Sequence, residues 1–136
     1  MSAMAMAPAV ELMASRQITM VEPIPGFPGL EHYDLAAIDE RGMLYSLRSA
    51  DEPQLRFILT PAATFFPDYR PELPATVTAD LGADVDLLLV VSVERGLADA
   101  TANLRAPVVL GAGTDRAVQV VLEDEALPMR QPLIAQ

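Results

Sequence analysis

The chain has 136 residues, about half of them apolar, which is enough for one domain with its own core and too apolar for disorder along its whole length. It contains no cysteine, which excludes disulfides, thiolate catalysis and thiolate metal sites. Nineteen acidic residues against nine basic ones, all arginine, give a formal charge of −10, a surface that repels phosphates, disfavours nucleic acid and suits basic partners.

The opening, Met1 to Ala9, is rich in Met and Ala but lacks the basic start of a secretory signal, since the first positive residue is Arg16, after Glu11. Residues 1–9 are read as a disordered terminus, with Met4, Met6 and Met13 as alternative starts, and residues 10–136 as a single β domain. No run approaches the roughly 18 consecutive apolar residues of a membrane span. A cytoplasmic location is expected.

A first strand is expected over Gln17–Glu22, a turn at Ile24-Pro25-Gly26-Phe27, and a second strand over Tyr33–Ile38. Twelve prolines punctuate the chain, and their spacing prevents a long helix between residues 23 and 74. Period-two alternation marks Met43–Ser49, with Met43, Tyr45 and Leu47 on one face, and Leu55–Thr60, with Leu55, Phe57 and Leu59 together. Phe65 and Phe66 follow, between Pro61 and Pro67. In an extended chain one of these adjacent rings points away from the core and serves, near Tyr69, as an aromatic anchor for a partner. Irregular backbone would instead tuck both inside.

Ala75–Leu81, after Pro74 and before Gly82, is the one plausible helix. The strongest strand is Val85–Glu94, where Val85, Leu87, Leu89, Val91 and Val93 form one apolar face and the opposite face is apolar at its centre only. Such a strand is covered on both sides in the middle and wet at its ends, which suits a curved sheet with the helix laid across it. Leu104–Leu110 and Arg116–Glu123 read as a hairpin whose connector, Gly111 to Asp115, carries glycines for positive φ. The fold class expected is all-β: a small, single-domain, barrel-like antiparallel sheet with at most one short helix, closed because closure removes exposed strand edges.

Catalytic and metal readings are weak one by one. His32, the only histidine, has Glu31, Asp34 and Asp39 strung along a loop and not converging on it; a solvated turn is the simpler reading. Glu123, Asp124 and Glu125 are neighbours, so they do not face one another as glycosidase carboxylates must. None of the five serines lies in a G-x-S-x-G context. Gly111 and Gly113 lead into a strand where a dinucleotide loop needs a helix. No cofactor, metal or catalytic residue is therefore assigned. Asn103 stands where a strand begins, its amide either closing a turn on its own backbone or facing a partner. A β-barrel lined for a small ligand is the main alternative to a protein-binding module. A hydrolase built on His32 and a structural subunit are further rivals.

The motifs, in order, resemble the FliW family of flagellar assembly factors. They are Val10-Glu11-Leu12, Ile24-Pro25-Gly26-Phe27, Pro53 to Phe57, Phe66-Pro67-Asp68-Tyr69 leading to Leu73-Pro74, and Thr101 to Val109. Each is weak alone, but five in register are fairly specific. Met20 departs from the pattern, standing where the family more often has an aromatic. The resemblance implies a bacterial cytoplasmic barrel without catalytic activity, monomeric when free, which binds flagellin and the RNA-binding translational regulator CsrA. Capture of CsrA relieves repression of flagellin translation. On that reading Phe65, Phe66, Asp68, Tyr69, Asn103 and Leu104 form the partner surface, while Pro25, Gly26, Phe27 and Pro107 serve the fold, with Pro107 at a strand edge.

Overall fold

Period-two alternation becomes a run of short strands in the computed structural model, which describes residues 15–82 and 84–134. The disorder expected for residues 1–9 and the Val10-Glu11-Leu12 motif lie outside the described residues. Strands β1 (Arg16–Met20), β2 (His32–Ala37), β3 (Tyr45–Ser49) and β4 (Arg56–Pro61) form an antiparallel meander. After two short helices, α1 (Ala62–Phe65) and α2 (Ala75–Leu81), comes the long strand β5 (Val85–Ser92), antiparallel to β4. β7 (Val108–Gly111) pairs with β5, β8 (Arg116–Gln119) with β7, and β8 returns to β1. The circuit β1-β2-β3-β4-β5-β7-β8 is a closed barrel of seven strands. The remaining strands, β6 (Thr101–Ala102) and β9 (Gln131–Pro132), extend the sheet from the far end of β5.

The sheet is not antiparallel throughout. β1 and β8 run parallel, with Thr19 opposite Arg116 and Met20 opposite Ala117. The reason is arithmetic: direction cannot alternate all the way round a ring with an odd number of strands.

The barrel interior is apolar and nearly full. Ile18, Met20, Leu35, Leu47, Leu59 and Leu88 line it with Val108, Leu110 and Ala117, around a void of about 10 Å³. Ile24, Phe27 and Leu30 pack onto the same cluster. Ile24-Pro25-Gly26-Phe27 forms a tight turn in which the Phe27 amide donates to the Ile24 carbonyl at 2.9 Å and Gly26 has φ +94°. Proline second and a positive-φ glycine third are what a type II turn requires. The turn brings Phe27 edge-on to Phe57, with ring centroids 5.6 Å apart.

β5 is covered on both faces, as its pattern implies, but the cover is divided. Leu88 faces the barrel interior, and Leu89 and Val91 face outward into a second cluster with Ala62, Phe65, Phe66 and Tyr69. α2 instead sets Val77 and Leu81 mainly on Val109, Val118, Val120 and Leu122, reaching β5 only at Val85 and Leu87. Its bounds match the sequence reading. The one-turn α1 is additional to the single short helix expected; Pro61 opens it, and Phe66, kept off helical backbone by Pro67, ends it.

Two residues of the hairpin region have roles other than those expected. Only Gly113 in the connector has positive φ; Gly111 ends β7 and is needed for space, because a Cβ there would lie 2.7 Å from the Leu81 carbonyl oxygen. Pro107 does not lie at an edge. It immediately precedes β7, which is flanked by β5 and β8, and strand starts tolerate proline. The ladder with β8 continues past it on one side only, the Val120 amide donating to the Pro107 carbonyl at 2.9 Å and the Leu122 amide to Arg105 at 2.7 Å.

Candidate protein-binding surface

Residues 61–74 cross the outside of the barrel between β4 and α2, and the proline at each end of α1 sets their path. The helical turn ends at Phe65, and Phe66 is neither helical nor extended (φ −134°, ψ 71°), so the consecutive rings do not alternate as in a strand. Both are half-buried against Leu89 and Val91, tilted at 52° with centroids 6.5 Å apart. The outcome lies between a free anchor and a fully enclosed pair: each ring keeps an accessible portion. Pro67, Asp68 and Arg70 are exposed beside them.

Tyr69 fastens this segment to the next. Its hydroxyl donates to the Leu104 carbonyl at 2.6 Å, and burial pushes the phenol up to about 12. Leu104 is buried in the same apolar cluster, so its backbone is what the contact uses. Asn103 Oδ1 accepts from the Arg105 amide at 2.9 Å, closing a turn on its own backbone. Phe65, Phe66, Tyr69 and Leu104 are thus brought together in one cluster, Asn103 adjoins it through the chain, and Asp68 stands on its exposed rim.

Arg105 was not singled out in the sequence, yet it organises this region. Its Nε donates to the Leu127 carbonyl at 3.0 Å and its guanidinium also reaches the Glu125 carbonyl at 2.9 Å. The Leu104 amide adds a bond to Pro128, so the 103–105 turn holds residues 125–128 against it. The available signal was an arginine with no acidic residue three or four positions away, in a chain poor in bases.

His32 is the first residue of β2 and not part of a turn. Its Nδ1 lies 3.5 Å from the Thr19 hydroxyl, and among the described residues no three His, Asp or Glu side chains converge to hold a metal ion. The interior void is far below the roughly 300–1,000 Å³ of a small-molecule site. Three ion pairs occur among the described residues, Arg16–Asp115, Arg95–Asp99 and Arg130–Glu94, leaving most acidic side chains without a cation at contact distance. No helix among the described residues is long and apolar enough to cross a membrane. What this geometry offers is an exterior: aromatic edges on a rigid barrel in a strongly negative field.

The chain is similar to known proteins over most of its length. A family profile described as "FliW protein" matches residues 4–133. The flagellar assembly factor FliW of Syntrophotalea carbinolica is 35% identical over 130 residues, covering 93% of this chain and 92% of that protein. Its counterpart from Symbiobacterium thermophilum is 34% identical over 113 residues, covering 79% and 82%. A crystal structure of the flagellar assembly factor FliW superposes with a TM-score of 0.79 at 26% identity, over 88% of this chain and 86% of that one.

Proposed function

Because this chain belongs to the FliW family of flagellar assembly factors, we propose that it acts by binding flagellin and the regulator CsrA in the cytoplasm, without catalysis. Flagellin and CsrA compete for it through the outcome they produce: free protein captures CsrA and lifts repression of the flagellin message, and accumulated flagellin occupies the protein and restores repression. The observation that carries this reading is the filled barrel, whose void of about 10 Å³ leaves recognition to the exterior. The surface proposed is Phe65, Phe66, Asp68 and Tyr69 with Asn103 and Leu104, the last two acting through backbone and turn.

The net charge of −10 supports an electrostatic mode of antagonism. A protein that holds RNA presents positive potential, and an anionic partner beside it lowers that potential without covering the RNA site. A tenfold loss of RNA affinity requires a coupling of only about 1.4 kcal/mol. The test is titration of RNA into CsrA, with and without this protein, across a salt series. Inhibition that fades at high salt is expected; inhibition unchanged by salt rejects the electrostatic mode. Failure of the protein to capture either flagellin or CsrA at micromolar concentration rejects the partner reading.

A further inference from the structure

Beyond β8 the chain keeps a strand's hydrogen bonds on one side and, among the described residues, has none on the other. Val120 and Leu122 donate to the carbonyls of Pro107 and Arg105, and their side chains, with Val118, are buried under α2. Residues of the opposite parity face β1. The Ala117 carbonyl accepts from the Val21 amide at 2.8 Å, and that is the last bond of the seam, because β1 departs at Glu22 and Pro23. The backbone groups of Gln119, Val121 and Glu123 point where β1 would have continued, and no partner meets them among the described residues. Five residues of edge run roughly 16 Å. Val121, the most exposed large apolar side chain among the described residues at 61%, stands in its middle.

We propose that residues 119–123 are a docking edge for an extended, basic segment of a partner protein, which adds a strand in line with β1. Unpaired strand edges are ready templates for such addition, and natural proteins ordinarily cover or charge them. Here the charge selects the occupant. Exposed Glu22 stands at one end of the edge and exposed Glu123, Asp124 and Glu125 at the other. The cation bonded at that end, Arg105, is engaged by the Leu127 and Glu125 carbonyls. An acidic strand is repelled, whereas a basic one is drawn by the carboxylates at both ends and can set an apolar residue opposite Val121. The inference rests on the protein-binding reading above and locates one contact within it.

The probe is an acetylated, amidated Lys-Val-Lys-Val-Lys-Val-Lys heptapeptide, with its Glu-Val counterpart as control, followed by amide exchange in NMR spectra. The basic peptide is expected to slow exchange at Gln119, Val121 or Glu123 by about tenfold or more, as strand pairing does, and the acidic one to leave all three unchanged. Val121→Pro deletes an outward amide while leaving the bonds of Val120 and Leu122 to β7 in place, and it should abolish this protection. Val121→Lys keeps every backbone group, so it should weaken binding by charge even if the proline variant misfolds. Peptide binding elsewhere, or unaltered binding to both variants, overturns the proposal. So does protection of the three amides in the free protein, whether from its own chain or from a second copy. Capture of flagellin and CsrA is measured alongside: its loss with peptide binding intact removes the partner reading and leaves the edge, and the converse removes the edge alone.

Discussion

Replacing Tyr69 by Phe isolates the bond that ties the aromatic segment to the 103–105 turn. The hydroxyl donates to the Leu104 carbonyl at 2.6 Å, and Leu104 is buried, so the carbonyl loses its donor where water is scarce. A net hydrogen bond contributes about 0.5–1.5 kcal/mol, and a buried group left unpaired moves the cost towards ~2 kcal/mol. In a domain of this length that lowers Tm by roughly 3–8 °C, read by circular dichroism at pH 7. The pH dependence supplies an independent check. The folded phenol keeps its proton up to about 12, whereas an unfolded tyrosine loses it near its ordinary value of 10.0. Between those values the unfolded chain holds fewer protons, so wild-type stability falls as pH rises. The variant lacks this contribution, and the Tm gap between the two proteins should narrow from pH 9 towards pH 12. Tyr33, whose phenol is also raised by burial, affects both proteins alike and cancels. A variant as stable as wild type at pH 7, or a gap that widens above pH 10, would refute the reasoning.

Tyr33 is fully buried and its hydroxyl has no hydrogen-bond partner among the described residues, so Tyr33→Phe should be neutral or stabilising by up to ~1 kcal/mol in urea titration; a loss above that would mean the hydroxyl is bonded. Gly111→Ala drives a Cβ to 2.7 Å from the Leu81 carbonyl and 2.8 Å from the Thr114 hydroxyl, and should destabilise by about 1–3 kcal/mol; an unchanged urea midpoint would deny the close approach of α2. Asp99 is held below the ordinary carboxylate value of 3.8, first by the Arg95 amide. Its stabilisation is present above the unfolded value and lost as pH falls through the folded one. Carboxyl NMR should therefore show it titrating below the ordinary carboxylate value, and Asp99→Asn should flatten the acid limb of stability.

Local chemistry was legible and long-range consequences were not. Alternation gave the cores of β3 to β5, and the Pro74 and Gly82 boundaries gave α2 to the residue, because both signals lie within a few positions of the element. The Pro-Gly turn at residues 25–26 is equally local. The parallel seam depends on the count of strands in the ring, which no segment reveals. The division of the cover over β5, and the need for glycine at position 111, depend on where α2 comes to rest. In the proposed partner surface, the residue types of Phe65, Phe66 and Tyr69 could be chosen from sequence, but their half-burial follows from one helical turn between two prolines. Arg105 was passed over because its acceptors are backbone carbonyls about twenty residues away.

The seam has a consequence for how the molecule is made. Thr19 and Met20 wait for Arg116 and Ala117, nearly a hundred positions later, so the barrel cannot shut while the ribosome still holds its last strand. The hairpins between neighbouring strands are free to assemble early, and closure of the ring waits for β8. A nascent chain therefore carries an open β1 flank until β8 emerges, and the acidic 123–125 stretch follows immediately behind the strand that seals it.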